Sequence, residues 1–518
     1  MFRKKNATLL VTVLMMLALL LAACANDNQV DSVENQMDTE GSVDYNEPNV
    51  TLKWVLMGPG EQKDSQKVWA AFNERLQAYL PNTKVEFEVI PAAEYQERWQ
   101  LMAASREKVD LAWHGWVIPY ADEVRRGSYM PLDDLLADHA PELMKEFPDW
   151  VWEKSKIDGQ IYSVPNFQMM ASTPVGLKMP EALLPYMDVE NVTEMLGDRT
   201  EPLREEQIHI LESYLMNLKE AGKLQEGFNP WNFEWIQSTG YSTVANLAVA
   251  DQDFHVVNLY ETDNMRLIYD TASKWYEEGF IRQDILTIDD ARKFEGVEGG
   301  DVMWMHNYTP FSAESESLSN GFPIAVLPLT TAYTVSSSAS GTNMVIPSTS
   351  EHPERAIQLL ELMNTEKGKE LYRMLVWGLE GEHYEVVGEN KIQTLDYEGA
   401  PDSNSNYGLD KWAVGNTLHG FETQVDPEGY LDYVKEVHEK AVRAPLYGFQ
   451  MNPEPVRTEI AQIAAVIGEY HEVLRSGGVR NGDQYYEEFL DKLRAAGSER
   501  LIEEAQKQID EWRAENSL

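Results

Sequence analysis

The chain has 518 residues, with 86 acidic against 43 basic side chains, a formal net charge of −43 and a single cysteine. That balance argues against nucleic acid or anionic lipid as a partner, since both need a basic face. One cysteine excludes internal disulfides, and a folded part of about 470 residues exceeds what one core usually serves, so two lobes are expected.

The first segment carries Arg3, Lys4 and Lys5, then an apolar run from Ala7 to Leu21, two small residues and Cys24. A basic start, a short apolar core and a small-residue exit describe a secretory signal. The run is shorter than the roughly twenty residues a membrane span needs. Leu21-Ala22-Ala23-Cys24 resembles the lipobox of bacterial lipoproteins. The resemblance implies cleavage before Cys24, diacylglycerol on its thiol, and acylation of the new amine with a chain such as palmitate. Residues 24–48 follow with seven carboxylates and no Lys or Arg. Such a stretch cannot bury enough apolar surface to fold and reads as a disordered acidic tether.

The body opens on "VTLKWVLMGPG" (50–60), a buried strand ending in Gly58-Pro59-Gly60. The spacing of Val68, Ala71, Phe72, Leu76 and Leu80 predicts a helix within 61–80. A strand at 83–91, a helix at 93–105 and a strand at 109–116 complete a strand–helix–strand–helix–strand run, hence a parallel sheet with helices on its faces. Ligands of such sheets gather beyond the carboxyl ends of the strands. Two loops qualify, Gly58–Glu61 and Trp113–Trp116. The glycine loop lacks the third glycine of a dinucleotide site and the Lys-Ser/Thr of a phosphate loop.

Asp158-Gly159 turns into an extended stretch, 160–165. Amphipathic helices follow at 204–222 and 261–279, both ending in glycine. Strands are expected at 299–307, at 322–330, where Pro323 and Pro328 forbid a helix, and at 341–347. Ser350 is the expected N-cap of a helix at 350–364 with Pro353 in its first turn. The tail is helical at 454–474, 483–497 and 498–512; Ile460, Ile463, Ala464 and Ile467 share a face of the first.

In order and spacing these segments resemble the extracellular solute-binding lipoproteins of ABC importers, family 1, large sugar-binding type. "VDLAW", "DGQIYSVP", "GDVMWMHN…FPIAVLPL", "GTNMVIPSTSEHPERAIQLLELM", "YRMLVWGLEGEHYEVV" and "APLYGFQMNPEPVRTEIAQI" carry the likeness, which covers most of 50–515. It implies an α/β fold of two periplasmic-binding-protein-like lobes joined by crossing hinge segments, with a helical C-terminal section. The second, fourth and third of those stretches resemble the first, third and second crossings respectively, with its helix in the case of the third. The expected division is 49–163 with 325–346 as the N-lobe, and 164–324 with 347–518 as the C-lobe.

The resemblance further implies a monomer on the outer face of a bacterial membrane, held there by its lipid anchor only. It would capture a carbohydrate, an oligosaccharide for preference, in the inter-lobe cleft and deliver it to permease subunits by hinge closure. Sugars offer a flat C–H face to indole and phenol rings and a rim of hydroxyls to carboxylates and amides. Candidate contacts from the first lobe are Glu61, Gln62, Trp113, His114 and Trp116. From beyond the crossings they are Asn166, Gln168, Trp231, Trp235, Trp304, Asn307, Tyr308, Trp377 and Glu380. No cofactor or metal is expected: the histidines do not cluster at ligand spacing, and there is no H-E-x-x-H or G-x-S-x-G. A secreted glycosidase, which would need a carboxylate pair, and a peptide-binding or sensor lipoprotein on the same fold are the alternatives.

Overall fold

The computed structural model describes residues 49–172, 175–190, 205–230, 241–288, 292, 296–307, 309, 311–329, 333–334, 342–396, 404–479 and 482–516. The expected signal, lipid site Cys24 and tether lie outside them.

Strand β1 (Val50–Met57), helix α1 (Ser65–Leu76), strand β2 (Thr83–Ile90), helix α2 (Ala92–Ser105) and strand β3 (Leu111–His114) follow the expected order. β1 pairs in parallel with β2 from Val50↔Thr83 to Met57↔Ile90, and with β3 at Trp54↔Leu111. Asn343–Val345 runs antiparallel beside β3, and Val164–Pro165 closes the five-stranded sheet beyond it. Helices cover the sheet, so Leu52, Trp54, Leu56, Val68, Phe72 and Leu111 are all fully buried.

The first core corrects the expected division. It takes in residues from Val50 to Met170 and again from Met344 to Phe421. The described residues of 347–396 and 404–421 therefore belong with the first sheet. The cause is local continuity. Strand Asn343–Val345 feeds the helix Pro353–Asn364, which buries Ala356, Ile357, Leu360 and Met363 in that core. The helix begins after His352 rather than Ser350, whose hydroxyl instead donates to Asp110 Oδ1 at 2.8 Å. The stretch 325–328, expected in the N-lobe, pairs with Val175–Pro180 in a second sheet, whose third strand is Trp304–Asn307.

That second sheet packs with the helices Glu205–Glu220 and Asp263–Glu277 through Leu177, Met179, Leu211, Leu215 and Trp275. The C-terminal helices Arg457–Ser476, Gly482–Ala495 and Ser498–Asn516 form a further core with Tyr260 and Tyr269. Ile463 is buried there and Ile460 and Ile467 partly so, whereas Ala464 is exposed. The face runs on through Tyr470 and Leu474 instead. Three short strands pair between the two halves: Ala171–Ser172, Tyr333–Thr334 and Val442–Arg443. These are the crossings. They lie at 171–172, 333–334 and 442–443, not at 158–165, 300–329 and 341–363 as expected, because those stretches are built into the two sheets and the first core.

Candidate functional site

At the carboxyl end of β3 the chain places three aromatic residues in four positions. Trp113 and His114 are fully buried. The Trp113 ring stands edge-on to Tyr95 at 5.0 Å, and the Tyr95 hydroxyl donates to the Trp113 carbonyl at 2.5 Å. His114 Nδ1 shares a hydrogen bond with the Tyr129 hydroxyl at 3.0 Å, and burial pulls its pKa down to about 3, so the ring is neutral. Both are core residues, which corrects the expectation that they meet ligand. Gly115 then turns the chain. A Cβ there would sit 2.2 Å from the Trp113 ring, so no larger residue fits. Trp116 emerges with 58% of its surface exposed, edge-on to Trp113 at 5.4 Å and tilted against Trp412 at 5.5 Å.

Beside this pair lies a recess of about 180 Å³ lined by Pro59, Gln62, Trp377, Lys411, Trp412 and Thr423 among others. Gln62 is at the rim, its side-chain oxygen accepting from the Gly408 N–H at 2.9 Å. Glu61 is exposed and accepts from Gln66 at 2.8 Å. The helix starts at Ser65, so neither residue occupies its first turn. Trp377 is mostly buried, edge-on to Tyr372 and Phe421, and only part of it reaches the recess. Glu380 is exposed, bridged to Tyr384, and does not line the recess.

Lys411 donates to both carboxylate oxygens of Asp426, at 2.9 and 3.0 Å. Asp426 Oδ2 also accepts from the Thr423 N–H and hydroxyl at 2.9 and 3.0 Å. The Lys411 ammonium lies 5.9 Å from the centre of the Tyr430 ring. Tyr430 and Tyr433 in turn pack on Phe311, at 6.4 and 5.5 Å. Phe311 precedes the helix Ser312–Asn320, next to the second sheet. A band of rings and one ion pair thus leads from Trp116 in the first half to Phe311 in the second.

Asn166 and Gln168 lie between the last strand of the first sheet and the first crossing. Asn166 is fully buried; its Nδ2 donates to Thr342 Oγ1 at 3.1 Å and to the Ala413 carbonyl at 2.9 Å. Gln168 Nε2 donates to the same hydroxyl at 3.2 Å. Both amides are committed to Thr342, which corrects the expectation of a ligand contact for Asn166 and leaves Gln168 half-buried behind it. Trp304 is buried against Gly296, Val297 and Ile324 and is structural. Asn307 ends its strand opposite Val175, while Trp231, Trp235 and Tyr308 lie outside the described residues.

A second, more polar groove of about 540 Å³ separates Arg125, Glu153 and Lys156 from Gln450, Asn452 and Lys507. Among the described residues no group of three or more His, Cys, Asp or Glu is placed to hold a metal, and no helix is long and apolar enough to cross a membrane. Sequence reasoning missed Trp412, Lys411, Asp426, Tyr430, Phe311 and Thr342. Each sits in a loop or at a helix start, and only the "DKW" of 410–412 hinted at a polar-aromatic turn.

A family profile described as a domain of unknown function (DUF3502) matches residues 445–514, the C-terminal helical section. The chain is 25% identical over 445 residues to a carbohydrate ABC transporter substrate-binding protein of Streptococcus pneumoniae serotype 4 (strain ATCC BAA-334 / TIGR4), covering 83% of this chain and 84% of that one. Among solved structures it is similar to the N-glycan transport solute binding protein NgtS of Streptococcus pneumoniae. The TM-score is 0.72 at 22% identity, over 90% of this chain and 99% of that one. The same protein in complex with Man5GlcNAc matches with a TM-score of 0.62 at 22% identity, over 91% and 100%. The fold is therefore that of the two-lobed solute-binding proteins.

Proposed function

We propose that this chain is a lipid-anchored, extracellular solute-binding protein of an ABC importer, which captures an oligosaccharide between its lobes and delivers it to a permease. The observation that carries this reading is the exposed Trp116 indole against Trp412 at the carboxyl end of β3, the position where sheets of this topology present ligand sites. The ring meets Trp113 and Trp412 yet leaves more than half of its surface to solvent. It offers an apolar face to the C–H surface of a sugar ring, and Gln62 and Lys411 line the recess with its neighbour Trp412, where they can meet hydroxyls. The likeness to a carbohydrate ABC transporter substrate-binding protein and to NgtS supports the same substrate class.

Capture becomes a signal if ligand contacts favour the closed arrangement of the lobes over the open one. The band from Trp116 to Phe311 supplies groups from both halves, and the three paired crossings are the elements that bend. The work is binding rather than bond cleavage. The signal-like segment and Cys24 support a lipid anchor, since two or three acyl chains hold a protein firmly at about 0.8 kcal/mol per buried CH₂. The protein would meet its permease as a monomer.

The test is a thermal-shift and calorimetric screen of oligosaccharides and peptides against the chain lacking residues 1–23. The expected result is a rise in melting temperature with a glycan and no release of reducing sugar. Turnover of the glycan, or a response to peptides alone, would sink this reading. Cys24→Ala should abolish labelling by palmitate and release the full-length protein from the membrane fraction.

A further inference from the structure

The charge of the recess restricts which saccharides it accepts. Among the described residues that line it, Lys411 is the only cation. Its ammonium is bound to both oxygens of Asp426, so its charge is already answered. Asp410 is the carboxylate of the lining and is itself exposed. Asp426 lies outside that lining but is bound to Lys411, so the lining and its bound partner together carry two anions against one cation. The lysines of the helix Tyr430–Lys440, whose tyrosines continue the aromatic band, are also held: Lys435 by Asp432 at 3.2 Å and Lys440 by Glu436.

A carboxylate on a sugar entering here would lose hydration beside Asp410 and Asp426 and find no uncommitted cation in the lining. Burying a charge without a partner is costly, and such a mismatch is one of the ways in which a site discriminates against a ligand. A neutral hydroxyl meets no such obstacle. It can donate to Asp410 and accept from Lys411 without breaking the Lys411–Asp426 pair. We infer that the recess takes neutral saccharides and turns acidic ones away, and that Asp426, by holding Lys411, is the specificity-determining residue. This rests on the carbohydrate reading above.

The experiment compares Man5GlcNAc with a mannuronate tetramer by titration calorimetry at low ionic strength, where charge effects are least screened. The wild-type protein should bind the neutral glycan at least about tenfold more tightly than the uronate. Asp426→Asn frees the lysine and should raise the affinity for the uronate relative to the neutral glycan by about tenfold. Asp410→Asn, a change at an exposed residue outside the Lys411–Asp426 pair, should move the same ratio in the same direction by less, which guards against misfolding of the first variant. Equal or tighter uronate binding by the wild type overturns the charge filter alone, as does an unmoved ratio in both folded variants. A wild-type protein that binds neither glycan overturns the carbohydrate reading, and the filter with it.

Discussion

The hydroxyl of Thr342 donates to the backbone carbonyl of Trp412 at 2.6 Å. The same oxygen accepts from Asn166 and Gln168, just ahead of the first crossing, so its proton and both lone pairs are used. One side chain thereby ties the hinge to the loop that presents a ring of the candidate site. Thr342→Val keeps the shape and removes all three bonds, leaving the Trp412 carbonyl and the Gln168 amide short of partners. We expect a loss of about 2–3 kcal/mol in stability. Thr342→Ser keeps the hydroxyl and should lose less than about 1 kcal/mol. Urea unfolding of the two variants checks this. Equal losses would mean that the methyl group, not the hydroxyl, matters.

Trp116 and Trp113 are three positions apart and should behave oppositely. Trp116→Ala removes a ring that is 58% exposed, so stability should fall by less than about 1 kcal/mol while affinity for a bound glycan falls by at least about tenfold. Trp113→Ala opens a cavity under Tyr95 and Trp116 and should cost about 3–5 kcal/mol. Gly115→Ala drives a methyl group into the Trp113 ring and should resemble the second variant, not the first. Parallel melting curves and glycan titrations separate the two behaviours. Full affinity in Trp116→Ala would remove the central residue of the proposed site.

The first sheet was legible because its cause is local: alternation and helical spacing in 50–116 name three strands and two helices without reference to the rest of the chain. Burial within it was harder to read. Side chains at Trp113 and His114 point to opposite faces of the sheet, yet helices cover both faces, so both are buried and only Trp116, past the strand end, is free to emerge. The division into lobes was misread for a different reason. Whether the helix Pro353–Asn364 packs on the first or the second sheet is decided by the strand at Asn343–Val345, whose partner β3 lies far away in sequence. The candidate site shares that difficulty. Gln62, Trp116, Thr342 and Trp412 come from separate loops, and no local spacing announces that they meet.

His438 makes the hinge sensitive to acid. The Met170 N–H, just before the first crossing strand, donates to its Nε2 at 2.9 Å, which requires that nitrogen to be unprotonated. The ring lies between Trp150 and Phe167, and burial, with the nearby Lys154 cation, lowers its pKa from 6.5 to about 4. The unfolded chain therefore takes up a proton at higher pH than the folded one. This contribution to stability is present above pH 6.5 and is lost as pH falls from 6.5 towards 4. It amounts to about 2 kcal/mol between pH 7 and pH 5. His114 acts in the same direction with a pKa of about 3. His438→Phe should flatten the stability curve over that window. An unchanged slope in urea titrations at pH 7, 6 and 5 would show that His438 is already charged in the folded protein.

Lys154 is the source of part of that shift, and its own position is unfavourable. It is 5% exposed, its ammonium lies 5.3 Å from the centre of the Tyr447 ring, and burial pulls its pKa from 10.5 down to about 8. At neutral pH it is still charged in the folded state, so folding removes a cation from water with only a ring in partial return. Stability should rise with pH between about 8 and 10.5 as the folded protein releases this proton first. Lys154→Met keeps the length of the side chain and removes the charge, and we expect it to stabilise the protein by about 1–3 kcal/mol at pH 7. The loss of the ring contact, about 0.5–1 kcal/mol, is smaller than the desolvation it offsets. The same substitution removes the positive charge that helps depress His438. The acid limb of the stability curve should therefore become shallower in Lys154→Met even though His438 is untouched. A stabilised variant with an unaltered acid limb would show that burial alone sets the histidine, and a destabilised one that the Tyr447 ring holds the ammonium more strongly than burial repels it.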